Sequence, residues 1–101
     1  MKLIIDVRTR EEFVKDHIKG ALNMPHYDLQ FHEDFLRDKE VLVYCNTERR
    51  SKIAMEKLSG MGIESKMISL SEQDDYEWVE NTIICALNFV QIKEGQMEKF
   101  I

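Results

Sequence analysis

The sequence predicts an α/β fold: a central, mostly parallel sheet with helices on both faces. Two observations carry this. Short apolar runs recur at Lys2–Val7, Ala21–Met24, Val41–Tyr44 and Ser65–Leu70, and runs of this kind suit strands buried in a parallel sheet. The segments between them have helical spacing of apolar residues, and strands alternating with helices return to one sheet by right-handed crossovers. A chain of 101 residues suits a single domain with one modest core.

The elements follow in order. Lys2–Val7 places Asp6 and Arg8 at the carboxyl end of the first strand, the edge at which open α/β sheets carry their sites. Thr9-Arg10-Glu11-Glu12 reads as a capping box, with Thr9 as N-cap and Glu12 three residues on. The helix it opens is predicted to run through Phe13 and Val14 to about His17. Gly20 turns the chain into Ala21–Met24, and Pro25 closes that strand. Tyr27, Leu29, Phe31, Phe35 and Leu36 fit one or two short helices lying on the sheet. Val41–Tyr44 is the central strand. Ser51 to about Gly60 is the next helix, with Ile53, Ala54, Met55 and Leu58 on its buried side and Gly60 and Gly62 ending it. Ser65–Leu70 is a further strand, and Asp74–Glu80 reads as a short acidic helix.

The chemistry concentrates in Val41-Leu42-Val43-Tyr44-Cys45-Asn46-Thr47-Glu48-Arg49-Arg50-Ser51. A strand ends in a cysteine, a short polar loop follows, and a helix begins near Ser51, a good N-cap residue. Backbone N–H groups of such a loop can face inward as an anion cradle. The helix adds the positive end of its dipole, and Arg49 and Arg50 add charge. All three favour the thiolate form of Cys45 and hence a nucleophile; Glu48 opposes them. The alternative is a small buried cysteine at a strand end, with no chemistry.

Cys45–Ser51 resembles the active-site loop of rhodanese-like sulfurtransferases. Leu3-Ile4-Ile5-Asp6-Val7-Arg8, then Glu11-Glu12-Phe13, then His17-Ile18-Lys19-Gly20-Ala21-Leu22-Asn23-Met24-Pro25 are similar to that family's amino-terminal signature. Ala54, Leu58 and Gly62 fit the family helix and the turn after it. The resemblance covers about residues 3 to 80 and rests on three ordered motifs. It implies the rhodanese-like three-layer fold over residues 1–80. It also implies a sulfurtransferase that takes sulfane sulfur from thiosulfate or another persulfide donor, holds it as a Cys45 persulfide and passes it to a thiol or other nucleophilic acceptor. On that pattern Asn46, Thr47, Glu48, Arg49, Arg50 and Ser51 form the substrate and persulfide loop, with Arg50 orienting an oxyanionic donor and Ser51 capping the helix. Asp6 and Arg8 are supports, whose plainer role is an ion pair beneath the loop.

The sequence departs from the pattern at Asn46, where many active members carry arginine or another polar residue, and at Glu48, near the loop's usual glycine. Ser71-Glu72 stands where paired glycines usually precede the family tryptophan, here matched by Trp78. Glu48 is expected at the pocket mouth, repelling thiosulfate and favouring a neutral or protein-bound persulfide. The competing reading pairs it with Arg49 or Arg50 to stiffen the loop. The cysteine phosphatases and arsenate reductases that share the scaffold have a loop one residue longer, whose arginine falls where this sequence has Ser51. The shorter loop suits one sulfur atom. A non-catalytic binding or regulatory module is the remaining alternative.

The whole chain adds bounds. Its 14 basic and 19 acidic residues give a net charge of −5, which argues against a general nucleic-acid or membrane surface. Two cysteines without a secretory or membrane-spanning stretch suggest a reducing, cytoplasmic setting. His17, His26 and His32 do not reproduce a zinc pattern with the cysteines, and neither a metal nor a cofactor is expected. Expected partners are a small sulfur donor and a thiol acceptor, with a protein sulfur carrier as one form the acceptor takes. The tail, 81–101, reads as a strand (Thr82–Lys93, with Cys85 packed inside), a turn at Glu94-Gly95 and the opening of a helix. It fits either an edge of the same domain or the start of a second domain similar to ferredoxin-like dimeric ones, with a dimer formed through 82–101. The family commonly has a strand and a helix before the Asp-Val-Arg segment, so the front is expected to be trimmed.

Overall fold

In β1 (Lys2–Asp6) and β4 (Glu40–Tyr44) successive side chains turn to opposite faces, and both faces are apolar. Leu3, Ile5 and, just past the strand, Val7 join Val41, Val43 and Cys45 in a core with Met24, Leu29, Leu36, Ala54, Leu58 and Ile63. Leu42 and Tyr44 turn the other way and meet Ile18, Ala21 and Ile68. The computed structural model describes residues 1–80. The predicted strand, turn and helix opening of the tail, and Cys85, lie outside the described residues.

The sheet is parallel, in the order β3, β1, β4, β5, where β3 is Leu22–Asn23 and β5 is Ser65–Met67. Leu3 lies opposite Val41 and Asp6 opposite Tyr44. This register brings Arg8 and Cys45 out of neighbouring strands at one carboxyl edge. The first core is closed by a 3-10 segment (His26–His32), by α2 (Glu33–Leu36) and by α3 (Arg49–Gly60). Phe13 from α1 (Arg10–Lys15), together with Tyr76 and Trp78, packs on the second core. The predicted α/β architecture with helices against a parallel sheet is therefore the observed one.

Two predicted helices are corrected. The capping box at Thr9 and Glu12 is present, but α1 ends at Lys15 and Asp16 is extended. Residues Asp16–Ile18 form β2, paired antiparallel with β6 (Trp78–Glu80), with His17 opposite Val79. His17 is thus not helical, although its Nδ1 still bonds the Phe13 carbonyl at 2.8 Å and its ring stacks on Phe13. The same pairing removes the helix predicted over Asp74–Glu80. The helix there is α4 (Leu70–Gln73), opened by a second capping box of Ser69 and Glu72, so β5 also stops at Met67 instead of reaching Leu70. Aromatic and β-branched residues such as Trp78 and Val79 take a strand readily once a partner strand is available.

Candidate active site

Three segments meet at the carboxyl edge. The first is the end of β1. The Asp6 carboxylate accepts hydrogen bonds from the Arg8 side chain at 2.8, 3.0 and 3.1 Å, from the Arg8 backbone at 2.9 Å and from the Tyr44 hydroxyl at 2.7 Å. Asp6 and Arg8 are buried, and a buried pair is tolerated only when its remaining polar atoms are satisfied. Burial works against the Arg8 charge, but the hydrogen bond and charge of Asp6 outweigh it and raise the Arg8 pKa. Burial likewise raises the pKa of Tyr44, whose hydroxyl accepts the Ile18 N–H at 3.0 Å. Asn23 of the signature turn donates to the Asp6 and Arg8 carbonyls at 3.1 and 3.0 Å, locking the strand end in place.

The second segment is the Cys45 loop. Cys45 has no exposed surface and belongs to the first core, as a packed cysteine would. Its sulfur nevertheless accepts the Ser51 backbone N–H at 3.3 Å. Ser51 is not the N-cap. The helix begins at Arg49, and the cap position is Glu48, in the left-handed conformation at φ 66° with no side-chain capping bond. Ser51 therefore lies within the first turn, buried, and its hydroxyl has no protein partner. A helix start two residues earlier than predicted is what turns its N–H onto the thiol. Glycine adopts the Glu48 backbone conformation without penalty, which accounts for the family's glycine near this place.

Glu48 does not pair with Arg49 or Arg50. Its carboxylate accepts the Leu70 N–H at 2.9 Å and ties the loop to the start of α4. Gln73 of α4 adds a buried tie, donating to the Cys45 carbonyl at 3.0 Å and the Ile68 carbonyl at 3.3 Å. Asn46 and Thr47 are exposed, as is Arg49.

The third segment is the head of α1. Glu12 caps that helix and also receives both terminal nitrogens of Arg50, at 2.7 and 3.1 Å. It accepts the Asn46 side-chain amide at 3.0 Å as well, while Arg8 donates to the oxygen of that same amide at 3.3 Å. The Arg50 hydrogen bond is the main reason the Glu12 pKa falls to about 2, and Glu12 raises that of Arg50. Cys45, Asn46, Arg50, Ser51, Asp6 and Arg8 are thus brought into one linked set. Glu12 and Gln73 join this set without a sequence signal for the site: Glu12 shows there as a capping residue and as part of the Glu11-Glu12-Phe13 signature, and Gln73 carries no signal. On the same edge His26 is held toward its neutral form by burial, then by Lys57, Arg50 and Arg49.

A recess of about 900 Å³ lies elsewhere, lined by Lys39, Val41, Met55, Ile63 and Lys66 among others. It opens by the amino ends of β4 and β5, so it has no part in this site. Among the described residues no three His, Cys, Asp or Glu side chains group as a metal site, and no helix is long and apolar enough to cross a membrane.

Residues 1–81 match the family model of the rhodanese-like domain. The chain belongs to the rhodanese-like family. It is 41% identical over 61 residues to thiosulfate sulfurtransferase PspE of Escherichia coli, covering 57% of this chain and 59% of that one. It is 43% identical over 58 residues to a probable molybdopterin-synthase adenylyltransferase of Gracilaria tenuistipitata var. liui, over 52% of this chain and 16% of that protein. A tRNA sulfurtransferase of Desulfurococcus amylolyticus is 35% identical over 63 residues, over 62% of this chain and 12% of its own length. The chain therefore spans between an eighth and three fifths of these relatives. Among solved structures, an E. coli rhodanese described with anions superimposes with a TM-score of 0.70 at 29% identity, over 79% of this chain and 99% of that one. A rhodanese-like domain from Anabaena superimposes with a TM-score of 0.71 at 23% identity, over 79% of this chain and 93% of that one, and shows the shared fold.

Proposed function

We propose that this rhodanese-like domain is a sulfurtransferase in which Cys45 carries sulfane sulfur as a persulfide between a donor and a thiol acceptor. The observation that carries the proposal is the Ser51 N–H directed at the Cys45 sulfur from the first turn of α3. A donor group already oriented toward a sulfur anion requires no reorganisation when charge develops there. The kinship with a thiosulfate sulfurtransferase points the same way.

The steps balance without an added oxidant. The Cys45 thiolate attacks the outer sulfane sulfur of the donor. The bond between that sulfur and the donor breaks, and the donor leaves with the electron pair, as a thiolate or as sulfite. The acceptor thiolate then attacks the outer sulfur of the Cys45 persulfide and regenerates the Cys45 thiolate. Arg8 and Asp6 act as a fixed base under Asn46 and are not reactants in this scheme.

Steady-state transfer from cysteine persulfide to dithiothreitol, measured for the wild type and for Cys45→Ser, tests the proposal. Wild-type turnover that falls to background in the variant supports it. Retained turnover in the variant, or none in a folded wild type, rejects it and leaves a binding module as the reading of this fold.

A further inference from the structure

Four groups beside the Cys45 loop that are able to hold an oxyanion already hold a carboxylate of this chain. Both terminal nitrogens of Arg50 are on Glu12, as is the Asn46 amide. The Arg8 side chain is on Asp6, with its remaining contacts to Asp16 and Asn46. The Leu70 N–H is on Glu48. Left over are the exposed Arg49, the Ser51 N–H, turned to the sulfur, and the buried Ser51 hydroxyl without a protein partner. Glu12 is held firmly, because Oε1 also accepts the Thr9 N–H and hydroxyl, each at 3.0 Å.

Resting on the sulfur-carrier reading above, we infer that Glu12 is a specificity-determining residue that occupies the anion-binding face of Arg50, so that the loop takes sulfur from small alkyl persulfides in preference to thiosulfate. An alkyl persulfide presents one slender terminal sulfur and asks nothing of Arg50. Thiosulfate carries a sulfonate head that must either displace the Glu12 carboxylate from a two-bond grip or lie beside it unpaired. Two-bond pairs of arginine with carboxylate are among the strongest polar contacts. The reaction with the persulfide forms the Cys45–sulfur bond, breaks the persulfide S–S bond and releases the alkyl thiolate.

The test is the rate at which intact protein gains one sulfur from cysteine persulfide and, separately, from thiosulfate, at equal concentration. The wild type is expected to load faster from the persulfide. In Glu12→Gln, an amide that still serves the capping box but does not neutralise Arg50, the ratio of thiosulfate to persulfide loading is expected to rise about tenfold, the scale of one charge-assisted bond. The double variant Glu12→Gln/Arg50→Gln is expected to lose that rise, since the gain requires a freed Arg50. Thr9→Ala, which weakens the cap of α1 and removes one of the contacts on Glu12 but leaves both bonds to Arg50, controls for damage to the helix and is expected not to reproduce the rise. Equal loading of the wild type from both donors overturns the inference while the sulfur-carrier reading stands. An unchanged ratio in Glu12→Gln, or a rise that persists without Arg50, does the same. Loading of the wild type from neither donor overturns both.

Discussion

At the scale of single residues, backbone and side chain pull against each other at Glu48. A non-glycine residue in the left-handed region costs about 1–2 kcal/mol, while the Glu48 carboxylate gains one hydrogen bond to the Leu70 N–H. Glu48→Ala removes the bond and keeps the strain, and Glu48→Gly removes both. Glu48→Gly is therefore expected to be more stable than Glu48→Ala by about 1 kcal/mol, read from paired denaturant melts. The Asp6–Arg8 pair is a harsher case. Asp6→Ala leaves the buried Arg8 guanidinium without its main partner and is expected to cost about 3–5 kcal/mol, visible as a large fall in the denaturation midpoint.

At the scale of elements, the Cys45 loop is held by helices that belong to different parts of the chain. Gln73 fastens α4 to the Cys45 carbonyl through a buried amide. Gln73→Leu leaves the Cys45 and Ile68 carbonyls without that donor and is expected to cost about 1–3 kcal/mol, by equilibrium unfolding. The sequence shows the locally determined parts of this arrangement plainly. The Thr9 capping box, the apolar runs that become β1 and β4, and the cysteine between strand and helix all lie within a few residues of what determines them. The misread parts depend on distant partners. His17 and Trp78 enter strands because they pair with each other's segments across the chain, which a short window of periodicity does not reveal. Ser51 looks like a cap because serine favours that position. The helix instead starts from Glu48 in a conformation that side-chain identity does not announce. Glu12 reads as a cap and as part of the Glu11-Glu12-Phe13 signature, and its grip on Arg50 joins residues 38 apart in sequence.

At the scale of the whole molecule, that same pair links the head of α1 to the first turn of α3, and so ties layers on opposite faces of the sheet. Its charge dependence has a definite sign. The Glu12 pKa is lowered from 4.5 to about 2, so its contribution to stability is fully present above pH 4.5 and is lost as the pH falls toward 2. Because the Glu12 side chain is 30% exposed, solvent screening limits the loss to about 1–2 kcal/mol. Urea melts of the wild type between pH 5 and 2, compared with Glu12→Gln, are expected to converge at the acid end. On the proposed function the cargo is one sulfur atom, and the most direct test looks for that atom. The full chain is exposed to cysteine persulfide, cleared of donor, weighed intact and mapped by peptide. The account requires a gain of one sulfur on the peptide that contains Cys45, lost again on addition of a thiol acceptor. A folded protein that gains no sulfur, or gains it on the peptide that contains Cys85, contradicts the account.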